Sequence, residues 1–137
     1  MNKAISSLFA LGAAALCVSA APGPRHEGEE AKLSSLLANY APDGPVTDCV
    51  SERQLGDNRS VGRNTIIFHG TTSSRLWVNH PAGGCESLNH GLALVFHTPV
   101  DRLCRGDIAG VIDPVSHIDY GSCILGDFAP YHRVDRH

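Results

Sequence analysis

The sequence predicts a mainly β fold: a small disulfide-stabilised antiparallel barrel or sandwich, preceded by a signal peptide and one short N-terminal helix. Three observations predict it. Cys49, Cys85, Cys104 and Cys123 are spread through the C-terminal two thirds of the 137 residues, in a chain whose start has the marks of export. Between them lie short β-branched and aromatic runs at regular spacing. Gly- and Pro-rich breaks separate those runs, a pattern of hairpins and not of alternating helices and strands.

The N-terminus comes first. Lys3 supplies one positive charge, Ala4 to Val18 is an uncharged run of apolar and small residues, and Val18-Ser19-Ala20 ends in small residues. Charged start, apolar middle and small-residue cut together predict a secretory signal peptide over 1–20. The run is shorter than the roughly 20 residues a bilayer crossing needs, so the mature chain is expected to carry no transmembrane segment. The expected location is therefore periplasmic or secreted. Cys17 falls in the removed segment. The bulky Leu16 before it disfavours the alternative in which that cysteine is lipidated.

Residues 21–45 read as a leader with a short helix. Pro22 to Gly28 is polar and predicted to be disordered. From Glu29 onward, Ala31, Leu33, Leu36, Leu37 and Tyr40 recur at helical spacing, and Glu27, Glu29 and Glu30 favour the positive N-terminal end. Pro42, Gly44 and Pro45 stop the helix.

The four-cysteine β domain is assigned to 46–131 and a short tail to 132–137. Cys49 to Leu55 alternates enough for a first strand, and Gly56-Asp57-Asn58 reads as its turn. Asn64 to His69 is the clearest strand. Gly70 to Ser74 reverses it, and Arg75 to Asn79 returns with Leu76 and Val78 on one face and Trp77 on the other. Pro81 to Gly84 is a loop leading to Cys85. Leu92 to His97, Ile108 to Asp113, His117 to Tyr120 and Cys123 to Phe128 complete the β pattern.

Four cysteines allow three pairings. The nested one, Cys49 with Cys123 and Cys85 with Cys104, would tie the first strand to the last, as closing a sheet on itself requires. The sequential one, Cys49 with Cys85 and Cys104 with Cys123, stays open beside it. Each bridge over loops of this length stabilises by about 2–4 kcal/mol, comparable with the net stability of a small domain.

Several landmarks fall in a fixed order. They are Cys49, the Thr65-Ile66-Ile67-Phe68 strand, Trp77-Val78-Asn79, Cys85-Glu86-Ser87-Leu88, Leu103-Cys104 with Gly106-Asp107-Ile108, and Cys123 through Pro130. Over that span the chain resembles a family of small exported, periplasmic bacterial proteins with four cysteines, a domain of unknown function. The resemblance implies an exported four-cysteine domain and carries no activity, substrate or site residue with it. One departure is Glu86, where members often have proline after the cysteine.

Charge excludes one partner class. The formal net charge is −3, and loss of Lys3 with the signal makes it −4, so nucleic acid is not an expected partner. Histidine is the tempting chemistry. His69 and His97 each end a predicted strand and could meet at one rim with His80 or His90. These four are the candidate metal ligands, with zinc or copper as the metal. No His-x-His or His-x-x-x-His spacing forces them together, and scattered strand-end and loop histidines account for them more simply. There is no Cys-x-x-Cys pair for thiol exchange, no Gly-x-Ser-x-Gly elbow and no Gly-rich phosphate loop. Arg105-Gly106-Asp107 spells an adhesion tripeptide but reads as a Gly-Asp turn. The expected function is that of a non-enzymatic domain binding an envelope partner or a small ligand, with no catalytic residue assigned. A histidine-based metal protein and an unrecognised small hydrolase are the alternatives.

Overall fold

The computed structural model describes residues 24–88 and 91–134. The predicted signal segment, Cys17, His90 and His137 lie outside the described residues.

The first element is helix α1, Pro24–Leu36. It starts earlier than the apolar spacing indicated, because proline at a first helical position loses no intrahelical bond and its ring presets φ. Pro24 to Gly28, expected to be disordered, is therefore helical. It also ends earlier: Tyr40, the expected last helical position, opens strand β1, Tyr40–Pro42.

Strand β2, Cys49–Ser51, is followed by a 3-10 turn at Glu52–Gln54. The expected single strand from Cys49 to Leu55 is thus broken. Gly56-Asp57-Asn58, expected to be a turn, lies within β3, Leu55–Val61, where a register shift between Leu55 and Asn58 accommodates the glycine. The reversal comes at Gly62 (φ +64°). A Cβ there would run into the side chain of Glu29. That carboxylate reaches over from α1, accepting hydrogen bonds from Arg63 N at 3.1 Å and Asn64 Nδ2 at 3.1 Å. Glu29 thus fastens the helix to the β3 turn.

Strands β4, Thr65–Gly70, and β5, Arg75–Asn79, form the predicted hairpin. After it come β6, Ala93–Phe96; β7, Arg102–Cys104; β8, Ile108–Ile112; β9, Asp119–Ile124; and β10, Phe128–Arg133. Strand β7 was not foreseen, since three residues show no usable alternation.

All pairings are antiparallel. They build a five-stranded sheet in the order β1-β10-β5-β4-β3, a ribbon of β2 and β7, and a three-stranded sheet β6-β8-β9. The mainly antiparallel β class holds. The sheets stay open and do not close into a barrel, so the arrangement is a sandwich. The large sheet reaches past both limits of the 46–131 span, to Tyr40 on one side and Arg133 on the other. His132, assigned to the tail, is paired within β10.

The five-stranded sheet has two apolar faces because its central strands are apolar at successive positions. Ile66, Phe68, Trp77 and Phe128 point inward and join Leu94, Ala109, Val111 and Cys123 of the small sheet, and Val50 and Leu103 of the ribbon, in the main core. Phe68 lies between two rings, with centroids 5.6 Å from Phe128 and 6.0 Å from Phe96. On the opposite face Val61, Ile67, Leu76 and Val78 form a second cluster, packed by Leu33 and Leu36 of α1, by Leu37 just after it, and by Tyr40 and Tyr131. Burying each such side chain is worth about 1.5–3 kcal/mol. That is what holds a weakly amphipathic helix in place. The predicted opposition of Leu76 and Val78 to Trp77 is borne out.

The disulfides correct the sequence reading. Cys49 bonds Cys104 and Cys85 bonds Cys123. This is the interleaved pairing, neither the nested one (Cys49–Cys123, Cys85–Cys104) nor the sequential one. The nested reading assumed that the first strand closes on the last through a disulfide. In the structure the first and last strands, β1 and β10, meet by backbone hydrogen bonding. Cys49 instead faces Cys104 as a registered pair across the ribbon, with Cα atoms 4.0 Å apart. Among the described residues no helix is long and apolar enough to cross a membrane.

Candidate functional site

Of the histidines proposed as metal ligands, His90 lies outside the described residues. The other three are held apart. His69 sits at the turn end of the β4–β5 ladder, opposite Leu76, and His80 follows Asn79 at its other end. Four residues of strand separate those two levels, roughly 13 Å at 3.3 Å per residue. The ring of His80 is engaged locally, its Nδ1 3.1 Å from Thr65 Oγ1 and 3.0 Å from Asn64 O. His97 follows β6 on the other sheet. Among the described residues no group of three or more His, Cys, Asp or Glu side chains is placed to hold a metal ion.

The Arg105-Gly106-Asp107 tripeptide is a turn tied into the fold. Gly106 has φ +91°. Asp107 Oδ2 accepts the Cys104 N–H at 2.7 Å. Arg105 pairs with Asp48 and Asp127, each at 3.3 Å.

What the structure offers instead is a cleft on the outer side of the three-stranded sheet. Strand alternation puts Leu94, Ala109, Val111 and Cys123 into the core. It leaves Val95, Ile108, Gly110, Ile112 and Ile124 on the other side. No element covers that side among the described residues. Ile108 and Ile124 are directly opposite one another in the β8–β9 ladder, yet they are 65 % and 47 % exposed. The segment from His97 to Val100 rises along one edge and encloses an open cleft of about 780 Å³ over Val95, Ile108, Gly110 and Ile112. Gly110 supplies a floor without a side chain. The polar positions are at the rim: His97, Thr98, Asp107 and Asp119. Both carboxylates have local backbone donors, Asp107 from Cys104 as above and Asp119 from Gly121 N at 2.6 Å. They therefore shape the rim as well as charging it.

In volume and in its apolar floor with few polar groups, the cleft matches the usual description of a small-molecule or side-chain pocket. It contains no paired acid and base within hydrogen-bonding reach among its described lining residues.

Two other sequence signals resolve into structure. Asn79, fully buried, donates from Nδ2 to Gly126 O at 2.7 Å and accepts from Gly126 N at 3.0 Å. Its amide thus continues the ladder where backbone pairing stops. Trp77 and Arg75 line a second, smaller pocket at the β4–β5 turn.

The strands that build the main cleft were foreseen, but the cleft was not. The available signal was Ile108-Ala109-Gly110-Val111-Ile112, apolar at both parities. In a sheet with helix cover on neither side, such a strand exposes one apolar row. Comparison with known protein families, curated proteins and solved structures finds no match to this chain.

Proposed function

We propose that the protein is a non-enzymatic domain of the bacterial cell envelope that binds a partner or ligand through the cleft on its three-stranded sheet. One observation carries this reading. A pair of cross-strand isoleucines, Ile108 and Ile124, remains exposed beside a formed cleft with an apolar floor, and contiguous apolar surface of that kind commonly marks a binding site. Export is part of the same proposal. The N-terminal signal pattern and the two disulfides support it, and so does the resemblance to four-cysteine exported bacterial proteins of unknown function.

Two measurements test it. A neutral apolar fluorophore such as N-phenyl-1-naphthylamine should bind saturably at one site, and Ile108→Asp should weaken that binding by about tenfold or more, equivalent to about 1.4 kcal/mol. Binding that does not saturate, or that is indifferent to Ile108→Asp, removes the site. For export, the protein recovered outside the cytoplasm should have the mass of a chain beginning at Ala21 with all four cysteines oxidised. An uncleaved, fully reduced product would overturn the envelope assignment independently of the cleft.

A further inference from the structure

A second pocket, of about 390 Å³, opens at the β4–β5 turn, on the other sheet from the apolar cleft. Its chemistry is different. Along the inner face of the five-stranded sheet the side chains are apolar from Phe128 and Ile66 as far as Phe68 and Trp77. One step further along the same face, at the register pair Arg75 and His132, they become cationic or hydrogen-bonding. The main core stops at Trp77, whose ring closes the inner end of the pocket. Gly70 keeps the adjoining position bare. A Cβ there would stand only 2.8 Å from Arg75 O, so this turn excludes any larger residue.

Nine of the described residues line the pocket and none of these is Asp or Glu, although the chain as a whole is acidic. Two are arginines, Arg75 and Arg133, of which Arg75 shares the inner face with Trp77, whereas Arg133 has the parity of Tyr131 on the opposite face. The hydroxyls of Thr71, Thr72 and Ser74 stand on the turn beside them, those of Thr72 and Ser74 bonded to each other at 3.0 Å so that one of the two still has its proton to give. Arg75 is shared with an adjoining pocket: its Nη2 donates to Asp43 Oδ2 at 2.8 Å, and Asp43 lines that pocket and not this one. A guanidinium has five N–H donors in a fixed fork, so one bond to Asp43 orients the group and leaves donors for a ligand. The same carboxylate lies 3.7 Å from His132 Nδ1, a buried atom with no hydrogen-bond partner. Asp43 thus orients Arg75 and leaves His132 Nδ1 without a hydrogen bond.

We propose that this pocket binds a small oxyanion, a carboxylate or phosphate group, with Arg75 as the principal contact and the turn hydroxyls as further donors. Arginine forks match both groups in geometry. The site is independent of the apolar cleft, and either can fail without the other.

The test is an NMR titration of the intact disulfide-bonded protein with sodium phosphate, sodium acetate and sodium chloride at matched pH and ionic strength, which holds screening constant. The amides of Gly70 to Ser74 should shift saturably with phosphate or acetate and not with chloride. The oxyanion that saturates at the lower concentration identifies the preferred group. Arg75→Gln should weaken that binding by about tenfold or more, the loss expected for a charged hydrogen bond. Asp43→Asn should strengthen it by about threefold, because a competing carboxylate is removed. Shifts that are linear and equal for all three salts overturn the proposal. So does an affinity unchanged in Arg75→Gln, or one that stays level or falls in Asp43→Asn.

Discussion

The two larger sheets are held together by different means. The five-stranded sheet is packed on both faces, by the main core on one and by α1 on the other, and no cysteine lies in its strands. Among the described residues the three-stranded sheet and the ribbon are packed on one face only, and they carry or adjoin both disulfides. A sheet that buries two apolar faces gains enough from burial to need no covalent help. Sheets that bury one face gain roughly half as much per residue, and in a domain this small the cross-links supply the difference. Leaving one face uncovered then becomes possible, and that face holds the cleft.

The sharpest way to break this comparison is to truncate one side chain on each side of it. Phe68, in the doubly covered sheet, is 1 % exposed and touches two other rings. Phe68→Ala should cost about 3–5 kcal/mol, a large share of a small domain's stability. Ile108→Ala, on the uncovered face, should stay within about 0.5 kcal/mol of the parent. Urea unfolding of both variants measures this. A loss for Ile108→Ala as large as that for Phe68→Ala would mean that the outer face is covered in solution.

The disulfides sharpen the comparison from the other side. Replacing Cys85 and Cys123 together by serine should cost about 2–4 kcal/mol, as should replacing Cys49 and Cys104. The closed loops span 38 and 55 residues, and the logarithmic dependence on loop length makes the two nearly equal. Hydrogen exchange should locate the damage. Amides of β6, β8 and β9 should lose protection in the Cys85/Cys123 variant while those of β4 and β5 keep theirs. Uniform loss of protection across both sheets would show that the domain unfolds as one unit and that the division of labour is wrong. Peptide mapping without reduction should recover Cys49 joined to Cys104 and Cys85 joined to Cys123.

These contrasts also show what could be read in advance. The β4–β5 hairpin was legible because its residues are β-branched or aromatic, its turn is glycine-started, and its faces are both needed. The ribbon was not legible. β2 and β7 are three residues each, and their pairing depends on sequence positions 55 apart, which no local pattern encodes. That single omission produced the wrong disulfide pairing, since Cys49 has Cys104 opposite it only once β2 and β7 are placed together. Gly56-Asp57-Asn58 has turn composition but was overridden by pairing of β3 with β4. The described candidate ligands stand apart for a related reason. His69 and His97 do lie close to strand ends, His69 one residue inside β4 and His97 just past β6, but on different sheets. The residues that line the two pockets were visible only as core-like isoleucines and ordinary strand-end arginines. Their roles follow from which faces the sheets leave open, and that is decided by tertiary packing.

The smallest expected effect lies in the loop joining β8 to β9, at the far edge of the three-stranded sheet. Asp113 Oδ1 accepts hydrogen bonds from Val115 N at 2.8 Å and Ser116 N at 3.1 Å, and these hold its carboxyl below the ordinary value of 3.8. The bonds favour the charged form in the folded chain. Their contribution is therefore complete above pH 3.8 and is lost as the pH falls through the lower folded value. An acid titration by NMR should show the Val115 and Ser116 amides moving together below that point, while amides of β4 and β5 do not follow. In Asp113→Asn, which keeps an acceptor oxygen but cannot titrate, the movement should vanish with the loop still formed. If the β4 and β5 amides shift along with the loop, the two sheets are coupled more tightly than their separate means of support imply.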